Sequence, residues 1–252
     1  MNKRISDIRE EFETVEKSEW TNLFALYNED KRTGVQRILE SYRKKLEKEK
    51  AERERIEGML FYEKKYAVYS HICGIDEVGR GPLAGPVVAA AVILPKDARI
   101  LYANDSKKVS EKMREQLYKE IMEKAEAVGI GMRSPQRIDE INILQATYEA
   151  MREAVGKLSV KPDLLLNDAV KIPNMPVQQV PIIKGDAKSL SIACASIVAK
   201  VTRDHLMEEY DKILPQYGFA SNKGYGSSQH IEALKTYGPS PIHRNSFIKH
   251  FV

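Results

Sequence analysis

Apolar residues recur at helical spacing through the first part of the chain. Three apolar stripes, within 5–15, 20–27 and 35–46, each carry side chains three or four positions apart, with charged residues between them. Residues 43–55 are nearly all charged, and pairs such as Glu49 and Arg53 stand four positions apart, as on a solvated helix face. The pattern predicts two short helices and one long helix, which form a charged helical N-terminal extension over residues 1–66.

Two interpretations of the extension remain open. It can pack on the main domain as a structural element, or it can act as an arm that contacts a polyanion. Because acidic and basic residues are nearly balanced along it, the structural interpretation is favoured.

From residue 67 onward the pattern changes to short apolar runs that alternate with longer amphipathic segments. The first run that predicts a strand begins at Ile72, and later runs cover 87–94, 128–132, 163–168 and 177–183. The segments that predict helices cover 110–125, 134–158, 189–213 and 229–236, with a loop over 218–226. This alternation predicts a layered α/β domain over residues 67–252.

Four carboxylates lie where predicted strands end. Asp76 and Glu77 follow the Ile72 run, while Asp168 and Asp186 follow two later runs. Neighbouring strand residues point to opposite faces, so Asp76 and Glu77 converge only if the strand ends there, and the glycines from Gly79 onward favour such a break. Ligands of open α/β sheets bind beyond strand ends, and grouped carboxylates are natural ligands for a divalent cation. Taken one at a time, each acid is equally typical of a turn or a helix cap.

Composition narrows the class of protein. The chain has 252 residues, 42% of them hydrophobic, and a formal net charge of +4, which by itself does not indicate a nucleic-acid partner. No apolar run has the ~20 residues of a membrane span, and no secretory signal is visible. Cys73 and Cys194 lie far apart in apolar surroundings, so we expect buried free thiols in a reducing cytoplasm.

Several motifs in the same order resemble those of bacterial ribonuclease HII. They are GIDEVGRGPLAGPVV from Gly74, DSKK from Asp105, KGDAKS from Lys184, ASIVAKVTRD from Ala195 and NKGYGS from Asn222. The resemblance covers about residues 70–250. It implies an RNase H-like fold with a mixed central sheet flanked by helices. It also implies an endonuclease that hydrolyses the RNA strand of RNA–DNA hybrids and nicks duplex DNA on the 5′ side of an embedded ribonucleotide.

The resemblance also implies roles for particular residues. The catalytic, metal-binding acids are expected to be Asp76, Glu77, Asp168 and Asp186, around two Mn²⁺ or Mg²⁺ ions that activate water and stabilise the leaving oxygen. The ribose-reading segment is expected at Gly79, Arg80 and Gly81, and the aromatic ring that reads the RNA–DNA junction at Tyr225. Further candidate substrate contacts, which are equally typical of solvated lysines or a helix cap, are Lys107, Lys184 and Ser189.

The remaining histidines and the C-terminal segment receive weaker interpretations. His243 and Arg244 match a C-terminal motif of the same family and are expected to be structural or close to substrate. His230 shows no metal-ligand spacing and is assigned no role.

Two rival functions fit the sequence less well. Ribonuclease HIII resembles the same core but has a β-rich N-terminal domain and a glutamate as its fourth acid, whereas this N-terminal stretch is helical and the fourth acid is Asp186. A nucleic-acid-binding or scaffold protein without activity would not need all four acids. We therefore expect a monomeric enzyme that acts on RNA–DNA hybrids and ribonucleotide-containing duplex DNA, with no membrane partner.

Overall fold

The structure is a computed structural model that describes residues 3–251 and divides into two compact units. The first unit ends at Arg55 and the second begins at Ile56. In this division residues 56–66 group with the second unit. The domain boundary expected between residues 66 and 67 stays a prediction.

The first unit is helical, as the apolar stripes predict. It contains α1 (Ile5–Thr14), α2 (Trp20–Tyr27) and most of α3 (Thr33–Met59). Its core is aromatic: the ring centroids of Phe12 and Trp20 lie 4.6 and 4.7 Å from that of Tyr42. The indole nitrogen of Trp20 donates to the carbonyl of Phe12 at 3.1 Å, which satisfies the buried polar atom of this ring.

The second unit alternates strands and helices. In chain order its elements are α4 (Phe61–Lys65), β1 (Ile72–Val78), β2 (Val87–Ile93), α5 (Glu111–Lys124), β3 (Ala127–Arg133), α6 (Pro135–Gly156), β4 (Leu164–Asp168), β5 (Gln178–Ile182), α7 (Leu190–Ile213), α8 (Phe219–Asn222), α9 (Ser228–Tyr237) and α10 (Asn245–Ile248).

The five strands form one mixed sheet in the order β3-β2-β1-β4-β5. β1 pairs antiparallel with β2, and β2 pairs antiparallel with β3. On the other side, β1 pairs parallel with β4, and β4 pairs parallel with β5. The predicted mixed sheet flanked by helices is confirmed.

Helices cover both faces of the sheet. The face that contains Val88, Ala90 and Val92 packs against α5 and the apolar first half of α7, and the opposite face packs against α6. The approach of α7 is close, because a Cβ atom on Gly74 of β1 would lie 2.1 Å from the carbonyl carbon of Ser191. Only glycine therefore lets the start of α7 lie directly on the middle of β1.

Local signals located the helix starts well. Ser110 and Ser134 each cap the following helix by accepting a backbone N–H, at the starts of the helices predicted from residues 110 and 134. Ser189, for which a cap and a substrate contact were left open, caps α7 in the same way. The loop prediction over 218–226 is wrong in part, since its first residues form the short helix α8. Cys73 and Cys194 are buried free thiols, as expected. Within residues 3–251, no helix is both long and apolar enough to cross a membrane.

The position of the unit boundary leads to a truncation experiment. Ile56, Met59 and Leu60 are at most 5% exposed and belong to the core that contains α7, so removing them leaves cavities in the second unit. We expect deletion of residues 1–55 to give a folded protein, and deletion of residues 1–66 to lower its melting temperature by roughly 10 °C or more. Equal melting temperatures for the two truncations, measured by circular dichroism, would show that these residues do not belong to the core.

Candidate active site

The register between β1 and β4 brings two of the four predicted acids together. Ile75 pairs with Asn167 across these parallel strands, so Asp76 and Asp168 occupy the next aligned positions. Both side chains lie on the face that α7 covers, the face of Gly74 and Leu166. Adjacent strands are separated by about 4.8 Å, so the two carboxylates are close neighbours.

Glu77 differs from the expectation that the strand ends before the acids. β1 continues to Val78, so Glu77 lies inside the strand and projects from the opposite face to Asp76. The reason is the hairpin partner: Val78, Glu77 and Asp76 all pair with residues of β2. The break in the chain comes only at Gly79, whose φ of 86° is in the left-handed region.

Asp76 is a buried carboxylate among like charges. It is 6% exposed, and one of its oxygens accepts the backbone N–H of Glu77 at 2.8 Å. Burial, together with the nearby charges of Glu77 and Asp168, raises the pKa of Asp76 well above its ordinary value, although a hydrogen bond with Ser196 acts in the opposite direction. Burial and the Asp168 charge likewise raise the pKa of Glu77, while the Arg80 guanidinium offsets part of the effect.

Asp168 and Asp186 are joined through the turn that follows β5. An oxygen of Asp168 accepts the backbone N–H of Gly185 at 2.7 Å, which holds this turn against the end of β4. Burial and the charges of Asp105 and Asp168 raise the pKa of Asp186, and Lys107 lowers it in part. Asp105 is thus an acidic neighbour of the site that sequence reasoning assigned no role, although it opens one of the quoted motifs.

The donor set fits a hard divalent cation. All four groups are carboxylates, and burial together with nearby like charges raises the pKa of three of them, although Arg80 and Lys107 offset part of the effect at Glu77 and Asp186. Among residues 3–251, no three carboxylate, imidazole or thiol side chains lie close enough together to surround one ion. One reason why the carboxylates are not grouped more closely is that Asp76 and Glu77 project from opposite faces of β1.

The glycine-rich segment after β1 divides into a buried and an exposed part. Gly79 is buried, and a Cβ atom there would lie 2.3 Å from Nε of Arg203, so this residue is needed for the turn itself. Arg80 and Gly81 are exposed. A Cβ atom on Gly81 would meet only the ring of Tyr225, at 3.9 Å, so the backbone of Gly81 faces open space beside that ring. The backbone N–H groups of Arg80 and Gly81 donate to no acceptor within residues 3–251.

Tyr225 is 42% exposed and projects from the loop between α8 and α9. The structure therefore brings the predicted Gly81 and Tyr225 together, although 144 positions separate them in sequence (225 − 81). The guanidinium of Arg203 lies 5.9 Å from the centroid of the Tyr225 ring.

Two fully buried arginines support this segment. Arg203 donates to the carbonyls of Pro86, Lys223 and Ala84 at 2.8–3.0 Å. Arg244 donates to the carbonyls of Gly79, Arg80 and Gly85 at 2.5–3.0 Å. Each guanidinium thus satisfies its buried charge with backbone carbonyls and fixes the course of the chain around Gly79–Gly85. Sequence reasoning had left Arg203 without a role and Arg244 with an unspecified one.

The remaining predicted substrate contacts lie in different environments. Ser189 is fully buried: it caps α7, and its hydroxyl donates to a carboxylate oxygen of Glu63 at 2.6 Å, so its hydrogen bonds are used inside the protein. Lys107 and Lys184 are exposed. Lys107 lies close enough to Asp186 to lower its pKa, and Lys184 stands two positions before Asp186 in the sequence. Glu63 also accepts the N–H and hydroxyl of Ser191, a link to the start of α7 that no local pattern indicates.

Known proteins match this chain over nearly its whole length. Residues 73–250 match the family model described as Ribonuclease HII, and residues 4–67 match the model of the Ribonuclease HII N-terminal domain. A Ribonuclease HII from Lachnoclostridium phytofermentans is 64% identical over 249 residues, which cover 99% of this chain and 98% of that protein. A Ribonuclease HII from Clostridioides difficile is 47% identical, with 100% and 99% covered.

A solved structure shows the same fold. The ribonuclease H2 from Pyrococcus horikoshii OT3 superimposes with a TM-score of 0.60 at 27% sequence identity, over 70% of this chain and 93% of that one. The RNase H-like fold expected from the sequence is therefore confirmed.

The buried acids lead to a stability prediction for the metal-free protein. A carboxyl group whose folded pKa is raised stabilises the fold when protonated, and that contribution is lost as the pH rises through the folded pKa. At pH 7–8 we therefore expect Asp76→Asn, which removes the buried charge, to raise the melting temperature by at least about 2 °C, the shift that about 1 kcal/mol produces in a chain of this size. Melting curves from pH 5 to pH 8 should show the gain growing with pH. The control is Asp97→Asn at an exposed position, and a lower melting temperature for Asp76→Asn at pH 8 would contradict the prediction.

Proposed function

We propose that this chain, which belongs to the ribonuclease HII family and therefore hydrolyses the RNA strand of RNA–DNA hybrids, has a second activity. It nicks duplex DNA on the 5′ side of a single embedded ribonucleotide. We further propose that cleavage uses two Mg²⁺ or Mn²⁺ ions. The observation that carries the proposal is the position of Gly81 beside Tyr225, next to the strand that contains Asp76 and Glu77.

Asp76 and Asp168 are the proposed direct metal ligands, and Glu77 and Asp186 complete the two sites. When bound, the ions supply an activated water and stabilise the leaving oxygen of the phosphodiester. The protein's contribution is a set of carboxylates whose repulsion a cation relieves, which is supported by the raised pKa of Asp76, Glu77 and Asp186.

The proposed substrate contacts are arranged around the 2′-OH, the group that distinguishes RNA from DNA at a given position. The free N–H groups of Arg80 and Gly81 can hydrogen-bond the ribose and the adjoining phosphate, and no side chain on Gly81 blocks the approach. The Arg80 guanidinium, 3.4 Å from a Glu77 oxygen, can exchange this contact for the phosphate. Lys107 and Lys184 are proposed to contact phosphates farther along the backbone.

Substituting the central acids tests the metal-dependent chemistry. We expect Asp76→Asn and Asp168→Asn to lower single-turnover cleavage of an RNA–DNA hybrid at least roughly 100-fold in Mg²⁺ or Mn²⁺, because the lost charge weakens metal binding at the reacting phosphate. Calorimetric titration with Mn²⁺ should show weaker binding by the same variants. Asp97→Asn serves as the control, and near-parental cleavage by either acid variant would overturn the assignment.

Tyr225 tests the reading of the junction. Because an aromatic contact with a base contributes about 1–3 kcal/mol, we expect Tyr225→Ala to cut a single embedded ribonucleotide roughly 10-fold or more slowly, with little change in Mn²⁺ affinity. Tyr225→Phe is the matched control, since it keeps the ring and loses only the hydroxyl.

The product ends, mapped at nucleotide resolution, should lie on the 5′ side of the ribonucleotide. If Tyr225→Ala cleaves at the parental rate, the ring is a packing residue. If Tyr225→Phe is as slow as Tyr225→Ala, the hydroxyl rather than the ring acts on the substrate.

A further inference from the structure

A chain of hydrogen bonds connects the backbone of Ser240 to the loop of Tyr225 through two buried histidines. The N–H and the hydroxyl oxygen of Ser240 lie 2.9 and 2.8 Å from Nδ1 of His243, and the hydroxyl can donate to it as the N–H does. Nε2 of His243 lies 3.0 Å from Nε2 of His230, and Nδ1 of His230 lies 2.8 Å from the carbonyl oxygen of Tyr225. We call these four residues the histidine relay.

The backbone groups at the two ends fix the protons between them. An amide N–H can only donate, so Nδ1 of His243 must accept and its proton lies on Nε2. That proton is donated to Nε2 of His230, which is therefore bare, and the proton of His230 lies on Nδ1. A carbonyl oxygen can only accept, so this last N–H donates to Tyr225 and all the contacts are satisfied with both rings neutral.

The surroundings of the relay favour neutral rings. His230 and His243 are 0% and 2% exposed, and the rings of Tyr217 and Phe219 pack on both. Burial lowers the pKa of both groups, that of His243 to about 4. No step of the proposed chemistry uses either imidazole.

The same C-terminal segment also holds the glycine-rich segment. The carbonyl of Ile242 accepts the N–H of Gly85 at 2.8 Å, and the N–H of Arg244 donates to Leu83 at 2.8 Å. His243 forms a β-bridge with Ala84. The Arg244 guanidinium binds the carbonyls of Gly79, Arg80 and Gly85. Residues 240–244 thus fix Gly79–Gly85 on one side and, through the relay, the carbonyl of Tyr225 on the other.

We propose that the histidine relay positions the Tyr225 ring against Gly81 and so determines how well the enzyme selects a single ribonucleotide, with His230 and His243 as positioning residues. The inference rests on the proposed role of Tyr225 at the junction. The relay and the N–H of Ser227 both hold the carbonyl of Tyr225, each at 2.8 Å. Leu83 and Ala84 hold the carbonyl of Gly224 through their N–H groups. The two consecutive carbonyls are therefore anchored from different segments, which leaves the intervening peptide little freedom to move the ring.

A matched pair of variants at His230 separates this role from packing. Asn places an amide N–H as many bonds from Cα as Nδ1 of His230, so His230→Asn keeps the donor to Tyr225, whereas His230→Leu has a similar size and no donor. The measured quantity is the ratio of two cleavage rates, that of duplex DNA with one embedded ribonucleotide over that of a uniform RNA–DNA hybrid. We expect His230→Leu to lower this ratio roughly tenfold, the effect of losing one buried hydrogen bond, and His230→Asn to keep most of it.

A double-variant cycle tests whether the relay acts through Tyr225. In the background of Tyr225→Ala, His230→Leu should leave the ratio unchanged, because the ring that the relay positions is gone. Melting temperatures are recorded for every variant, because a substitution that only disturbs packing would lower the melting temperature without changing the ratio.

Nitrogen NMR of the intact, metal-free protein provides a readout besides activity. At pH 7 it should show His243 protonated at Nε2 and His230 protonated at Nδ1. Charged rings or the opposite tautomers would overturn the proposal.

The outcomes distinguish this inference from the function on which it rests. If Tyr225→Ala is impaired but His230→Leu keeps the parental ratio, the relay proposal fails alone. If Tyr225→Ala itself keeps the parental ratio, the role of the ring at the junction fails and the relay proposal fails with it. A lower ratio for His230→Asn equal to that of His230→Leu would also overturn it, because the retained donor would then make no difference.

Discussion

Like-charge repulsion between carboxylates on neighbouring strands is the constraint on which this structure depends. The parallel register of β1 and β4 aligns Asp76 with Asp168 on a face that α7 covers, where Asp76 is buried and Asp168 half-buried, so water relieves the repulsion only in part. The fold holds them by other means: backbone N–H groups of Glu77 and Gly185 donate to the two carboxylates, and Gly74 lets α7 lie directly on β1. Burial and like charges disfavour the charged form of Asp76, as is common where function requires a charge that the fold alone would reject.

The sequence predicted what depends on neighbours along the chain. The helix starts at Ser110, Ser134 and Ser189 were correct because a cap involves only the next three residues. The strand through Asp76 and Glu77 was cut short because its continuation depends on pairing with β2, which a local apolar run does not reveal. The four acids were found from motifs, whereas the opposite faces of Asp76 and Glu77 required the sheet.

Other features depend on contacts between distant segments and had no local signal. Glu63 reaches Ser189 across 126 positions and helps to hold the start of α7, although it lies in a stretch that the sequence assigned to the extension. His230 and His243 have no metal-ligand spacing, since their partners are the backbone amide and hydroxyl of Ser240, a carbonyl and each other. Buried polar residues of this kind are recognised only when the hydrogen bonds of each atom can be followed through the fold.

The two buried arginines have a consequence for how binding responds to ionic strength. Burial lowers the pKa of Arg244 to about 9, which still leaves it protonated at neutral pH, and Arg203 is held in the same way by carbonyls. Dissolved ions screen exposed charges such as Arg80 over about 8–10 Å, but they screen buried charges much less. The positive potential beneath Gly79–Gly85 is therefore a fixed property of the fold, and part of the attraction for a polyanionic backbone persists in salt that weakens surface lysine contacts.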